Sequence, residues 1–139
     1  MIKEAVNTDN FLEICDKLEE LKNVRLTQKA LYNYMVQSLY STSAFTLVSH
    51  DKDKMNGCIV LFYAVDQLRE PTLCLLFVWI DPHYPKLHNE FIKIACEKGR
   101  ELKVKKLSVY TDKSEAVIKR RLGKYGFNKK CSVYEKELI

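Results

Sequence analysis

A chain of 139 residues, 47% apolar and 29% charged, reads as one domain able to bury roughly two thirds of the surface its unfolded form exposes. This composition argues against disordered and fibrous classes, and the longest apolar runs, CIVLFYAV and LCLLFVWI, are too short to span a bilayer. The net charge of +5 is uneven: residues 98–136 hold 13 Lys and Arg against 4 Asp and Glu, a local balance of +9, which leaves the rest at −4. A basic end of this kind attracts phosphates, of a nucleotide cofactor or of nucleic acid, or is simply a solvated helix face.

MIKEAV alternates like a short strand. NTDN then offers N-cap residues ahead of Phe11, Leu12, Ile14, Cys15, Leu18 and Leu21, whose spacing of three and four predicts one face of a helix. TQKALYNYMVQSLYS predicts a second helix, with Thr27 as its cap and Leu31, Tyr34 and Leu39 turned inward. The period then changes. AFTLVSH and GCIVLFYAV predict strands joined by the polar turn DKDKMN, with Gly57 opening the second. EPTLCLLFVWIDP, apolar almost throughout, predicts a central strand covered on both faces and ended by Pro82 and Pro85.

Phe91, Ile92, Ala95, Cys96 and Leu102 mark a long helix, either broken at Gly99 or continued past it. KKLSVYTD predicts a strand, SEAVIKRRLGKYG a short basic helix with Ser114 as candidate N-cap, and NKKCSVYEKELI a closing strand. The order β1-α1-α2-β2-β3-β4-α3-β5-α4-β6 predicts an α/β (α+β) fold in a single domain over 1–139, with helices on both faces of a mixed sheet. Cys15, Cys58, Cys74, Cys96 and Cys131 are never closer than sixteen residues, which excludes C-x-x-C redox or zinc signatures. They read as small buried hydrophobes in a reducing compartment, and MIKEAVNTDN lacks the apolar stretch of a signal peptide.

VWIDPHY, ACEKGRELKVKKLSVYT and KYGFNKKCSVYEKEL, with IKEA near the start, resemble the central strand-to-loop segment, the following helix end and strand, the GF-containing segment and the first strand of the GNAT superfamily of acyl-CoA-dependent N-acyltransferases. The likeness runs over nearly the whole chain. It implies a GNAT fold, acetyl-CoA as cofactor and transfer of an acetyl group to an amine acceptor. It also implies a cofactor turn formed by Ile80, Pro82, Lys86, Leu87, His88 and Asn89, with Arg121 of the basic helix as a further phosphate ligand.

Two features depart from the family pattern. The family's Q/R-x-x-G-x-G/A loop puts Pro85 at the Arg position and His88 and Glu90 at the glycines. Proline removes a donor and Glu90 adds a negative charge, which predicts weakened pyrophosphate binding. The family's tyrosine acid, four residues before the GF glycine, falls on Leu122, which has no proton to give. Tyr125 is expected to pack, and Tyr110 or Tyr134 to replace the acid if the fold brings either to the thiol.

His83 and His88 are candidate bases because imidazole titrates near neutrality; five residues apart around a proline, they read equally as surface or capping residues. Glu70 and Asp81, at the two ends of the central strand, are candidate bases or solvated strand-end carboxylates. VIKRRLGKYGF also resembles an I-R-x-L-x-x-x-G pattern of degenerate GNAT-like proteins of tailed bacteriophages, which implies a virion or assembly role. Two functions are therefore open: acetyl transfer from acetyl-CoA to an amine, and a noncatalytic module that binds protein subunits or nucleic acid through its basic C-terminal third. No membrane partner is expected, and the expected location is cytoplasmic, in a host cell or virion if the protein is viral.

Overall fold

Asn7 opens the first helix, α1 (Thr8–Glu19), its side chain accepting the Asn10 N–H at 2.9 Å; Thr27 does the same for Ala30 at 3.1 Å at the start of α2 (Gln28–Gln37). The computed structural model describes residues 2–5, 7–21, 26–66, 68–109, 115–130 and 134–138. The remaining elements are β1 (Ile2–Glu4), β2 (Ala44–Asp51), β3 (Lys54–Val65), β4 (Pro71–Ile80), α3 (Leu87–Glu101), β5 (Leu107–Val109) and α4 (Glu115–Leu122), followed by a 3-10 turn at Gly123–Tyr125. The strands form one mixed sheet in the order β1-β2-β3-β4-β5, antiparallel except for the parallel pair β4–β5.

Alternation along the strands divides the core in two. Val48, Cys58, Val60 and Phe77 pack with Phe11, Ile14, Leu18, Leu31 and Met35, residues of α1 and α2. Leu47, Ile59, Leu61, Leu73 and Leu75 pack on the opposite face with Leu87, Phe91 and Ala95 of α3. Each fully buried Leu, Ile, Phe or Met contributes about 1.5–3 kcal/mol relative to an exposed one, so the two clusters hold the helices to the sheet.

The expected α/β fold, with its helices on both faces, is the one observed. Its details differ in instructive places. The β2–β3 turn is two residues, Lys52 and Asp53, with Asp51 pairing Lys54, where a longer polar turn was expected. Lys52 takes a φ of 58° to close it. Gly57 therefore does not open β3 but lies three residues inside it. Leu12, expected on the inner face of α1, is 55% exposed, and Leu39 lies beyond the end of α2 while Met35 fills the core.

α3 runs through Gly99 to Glu101 without a break. It ends in a left-handed Lys103, φ 61°, with Lys103 N–H donating to Arg100 O and Val104 N–H to Gly99 O, the paired bonds of a Schellman cap. The Ser114 cap and residues 131–133 of the expected closing strand lie outside the described residues; residues 128–130 and 134–138 carry no ladder. Gly126, the GF glycine, closes the 3-10 turn at φ 87°.

Candidate active site

The site begins with an irregularity in the central strand. Val60 pairs Phe77 and Leu61 pairs Leu75, so Leu76 is an extra residue, a β-bulge. The parallel ladder to β5 is short, with Leu73, Cys74 and Leu75 facing Leu107, Ser108 and Val109. Among the described residues, Leu76 to Ile80 have no strand partner on the β5 side. A strand edge without a partner is a template for pairing with an extended ligand.

β4 leads into a compact turn. Tyr84 N–H donates to Asp81 O at 2.9 Å and Leu87 N–H to Tyr84 O at 3.1 Å, and α3 begins at Leu87. No residue from 81 to 90 has a positive φ, so the turn closes without the conformational freedom of glycine. Lys86 caps α3 with its backbone alone, and Glu90 sits exposed in the first turn. A helix start leaves its first N–H groups without intrahelical acceptors; here they include those of His88 and Asn89.

The basic helix faces this end of α3. The His88 imidazole is pushed below its ordinary value first by burial, then by the charges of Lys124 and Arg121. The side chains of Lys119, Arg120, Arg121 and Lys124 are exposed, so the fold gathers the orphan amides of α3, His88, Arg121 and Lys124 into one positive region. Of the residues taken from the sequence as cofactor residues, Leu87, His88 and Asn89 open α3 behind Lys86, Arg121 acts electrostatically on His88, Ile80 ends β4 and Pro82 follows it in the turn.

On the other side of the turn, a cavity of about 200 Å³ is lined by Asp51, Lys54, Asn56, Asp81, His83 and Tyr84. The Asp81 side chain is 13% exposed; its Oδ1 accepts the His83 backbone N–H at 2.9 Å and lies 2.9 Å from His83 Nδ1. These two bonds, the backbone one first, hold its carboxyl below the usual carboxylate range. His83 itself is 89% exposed. Tyr84 donates its hydroxyl to Asp51, which raises the phenol above its ordinary value and ties the β2–β3 hairpin to the turn. The Asp81 N–H donates to Asn56 O at 2.9 Å, a second tie to β3.

The remaining sequence candidates lie elsewhere. Glu70 stands at the far end of β4, roughly 35 Å from Asp81 along the strand, where it joins Lys106 at 3.2 Å beside the Asp66–Lys106 pair. Glu70 and Asp81 therefore cannot act on one substrate atom. Tyr134 is 93% exposed, Tyr110 lies outside the described residues, and Leu122 is half-buried. The Tyr125 ring carries Lys124 Nζ 5.2 Å from its centroid. Among the described residues no group of three or more His, Cys, Asp or Glu is arranged to hold a metal, and no helix is long and apolar enough to cross a membrane.

Sequence reasoning missed Asp51 and Leu76. Lys124 lay within the basic segment expected to hold phosphates, though it was not singled out there; the pairing of Asp51 with Tyr84, 33 residues away, leaves no sequence signal.

No protein-family model matches the sequence, and no curated protein matches it. Solved structures do. The chain superposes on the aminoglycoside 6'-N-acetyltransferase AAC(6')-IG of Acinetobacter haemolyticus with a TM-score of 0.79 at 13% identity, covering 100% of this chain and 99% of that one. AAC(6')-Iy, in complex with the bisubstrate analog CoA-S-monomethyl-acetylneamine, gives 0.77 at 12%, covering 99% and 98%. A predicted acetyltransferase of Clostridium acetobutylicum, with acetyl-CoA, gives 0.75 at 11%, covering 99% and 95%.

Bulged β4, its parallel partner β5 and the α3 start beyond them belong to a mixed α/β sheet of the kind these structures share. More particularly, the chain has the GNAT fold.

Proposed function

We propose that the protein is an acetyl-CoA-dependent N-acetyltransferase acting on an amine. The observation that supports this most is the half of β4 from the Leu76 bulge to the start of α3, which has no β5-side partner among the described residues and leads to converging amides and cations. The residues present fit the cofactor. An extended pantetheine arm suits the edge from Leu76 to Ile80, which has no β5-side partner among the described residues, and a diphosphate suits the His88 and Asn89 amides with Arg121 and Lys124. Acetyl-CoA would supply an activated acyl group as its thioester.

The chain's own groups supply position and a proton acceptor. An amine arrives protonated and must lose a proton before it attacks. Asp81 holds the His83 imidazole with Nδ1 toward its carboxylate, leaving Nε2 to take that proton, the orienting role a carboxylate plays beside a catalytic histidine. Glu70 and Tyr134 take no part in this reading. With Leu122 in place of an acid, the rate comes mainly from proximity and from backbone donors.

Calorimetry with acetyl-CoA tests the reading. A Kd of ~10 μM or tighter, about −7 kcal/mol, is expected, weakened ~10-fold or more by Lys86→Glu or Arg121→Glu, together with turnover on a primary amine that falls in His83→Gln. No heat at millimolar ligand favours the second reading: a noncatalytic GNAT-fold module, such as a virion or assembly protein, that uses its basic face for a protein or nucleic-acid partner. Glu90 in the first turn of α3 and the apolar Leu122 are the observations on its side. Salt-sensitive retention of DNA would identify that partner as nucleic acid.

A further inference from the structure

The turn after β4 holds no glycine, yet a glycine lies directly beneath the helix that follows it. Gly57 of β3 pairs Ile80, the last residue of β4. A Cβ built on Gly57 meets Phe91 Cε2 at 2.8 Å, Leu87 Cδ1 at 3.2 Å and Phe91 Cζ at 3.5 Å. Leu87 is the first residue of α3, and Phe91 is one turn further on the same face. Phe91 is 1% exposed and enclosed by Ile59, Leu61 and Ala95, among others of its cluster, so its ring has little room to swing aside in a close-packed core.

We infer that Gly57 positions the start of α3, and through it the His88 and Asn89 amides, for an anionic ligand. The inference rests on the reading of that helix start as the diphosphate site. Its physical content is a distance: the missing Cβ lets α3 settle on the sheet, and restoring ordinary carbon–carbon contact of about 3.5–4.0 Å would lift the helix start by ~0.5–1 Å. Shifts of about 1 Å can change a positioned interaction by up to ~100-fold. The small residue that a phosphate site needs has, in this chain, been supplied by the strand under the helix instead of the loop ahead of it.

The test compares wild type, Gly57→Ala, Phe91→Leu and the double variant by calorimetry with acetyl-CoA and with inorganic pyrophosphate, well below the melting temperature of each. Amide shifts of His88 and Asn89 are followed by NMR. Gly57→Ala is expected to weaken both ligands ~10-fold or more and to move those two amide signals, while Phe91→Leu in the Gly57→Ala background returns the affinity to within ~3-fold of wild type. A merely structural glycine would lower the melting temperature and leave the Kd of the folded protein unchanged, which would overturn the inference with the diphosphate reading intact. Absence of binding by wild type would instead overturn that reading and the inference with it. If Gly57→Ala does not fold, the double variant decides: folded with near-wild-type Kd upholds the inference, folded without binding overturns it.

Discussion

His88 reports on the candidate site because its proton is sensitive to what surrounds it. Burial first, then Lys124 and Arg121, lower its pKa from an ordinary value of 6.5. The folded chain therefore holds fewer protons at this residue than the unfolded chain does. Its contribution to stability is present above that ordinary value and is lost as pH falls through the lowered one. A phosphate placed among the same groups reverses the electrostatic part of the shift and draws a proton on. Acetyl-CoA binding is expected to take up protons near neutral and mildly acidic pH and none above about pH 8, measured by calorimetry in buffers of different ionisation enthalpy; His88→Gln should abolish the uptake. Cys58 shows the opposite use of burial, which pushes its thiol up to about 12 and suits the packing role read from its apolar strand.

β4 is the element in which sequence and structure part most clearly. Leu73 and Leu75 face α3, but beyond the bulge it is Val78 and Ile80 that join the α3 cluster, while Leu76, Phe77 and Trp79 pack toward α1 and α2. One extra residue exchanges the two faces. A run as uniformly apolar as LCLLFVWI does not reveal the exchange, because both faces are covered and both accept the same side chains. The helices were easier to read: Asn7 and Thr27 cap as their residue types and positions predict.

The far end of α3 was not foreseen, because its left-handed cap is built on a lysine where glycine is the usual signal. Lys103→Gly should raise stability by up to about 1 kcal/mol, since a left-handed L-residue costs about 1–2 kcal/mol and glycine returns part of that as unfolded-state entropy. Urea denaturation with an unchanged m-value measures it.

At the scale of the whole molecule, one sheet serves two cores. Met35 and Leu73, both fully buried, lie on opposite faces of it. Because β2, β3 and β4 contribute to both clusters, loss of either helix layer exposes strands that the other needs. Met35→Ala and Leu73→Ala should each cost about 2–5 kcal/mol, each shifting a single coincident transition followed by fluorescence and circular dichroism. Separate transitions for the two substitutions would mean that the faces unfold independently.

The amino-acid order by itself determined the class of fold, the succession of helices and strands from β1 to α4, the two-sided burial of β4 and the basic character of the C-terminal third. These are local properties, carried by the period of apolar residues and by charge counted along the chain. Only the tertiary structure decided that Leu76 bulges out of the β3–β4 register, that Asp51 receives Tyr84, that Arg121 and Lys124 face His88, and that Gly57 lies under Phe91. Each of these joins residues at least 25 positions apart or depends on the register between strands, and neither distance in space nor register is written in the spacing of side chains along one segment.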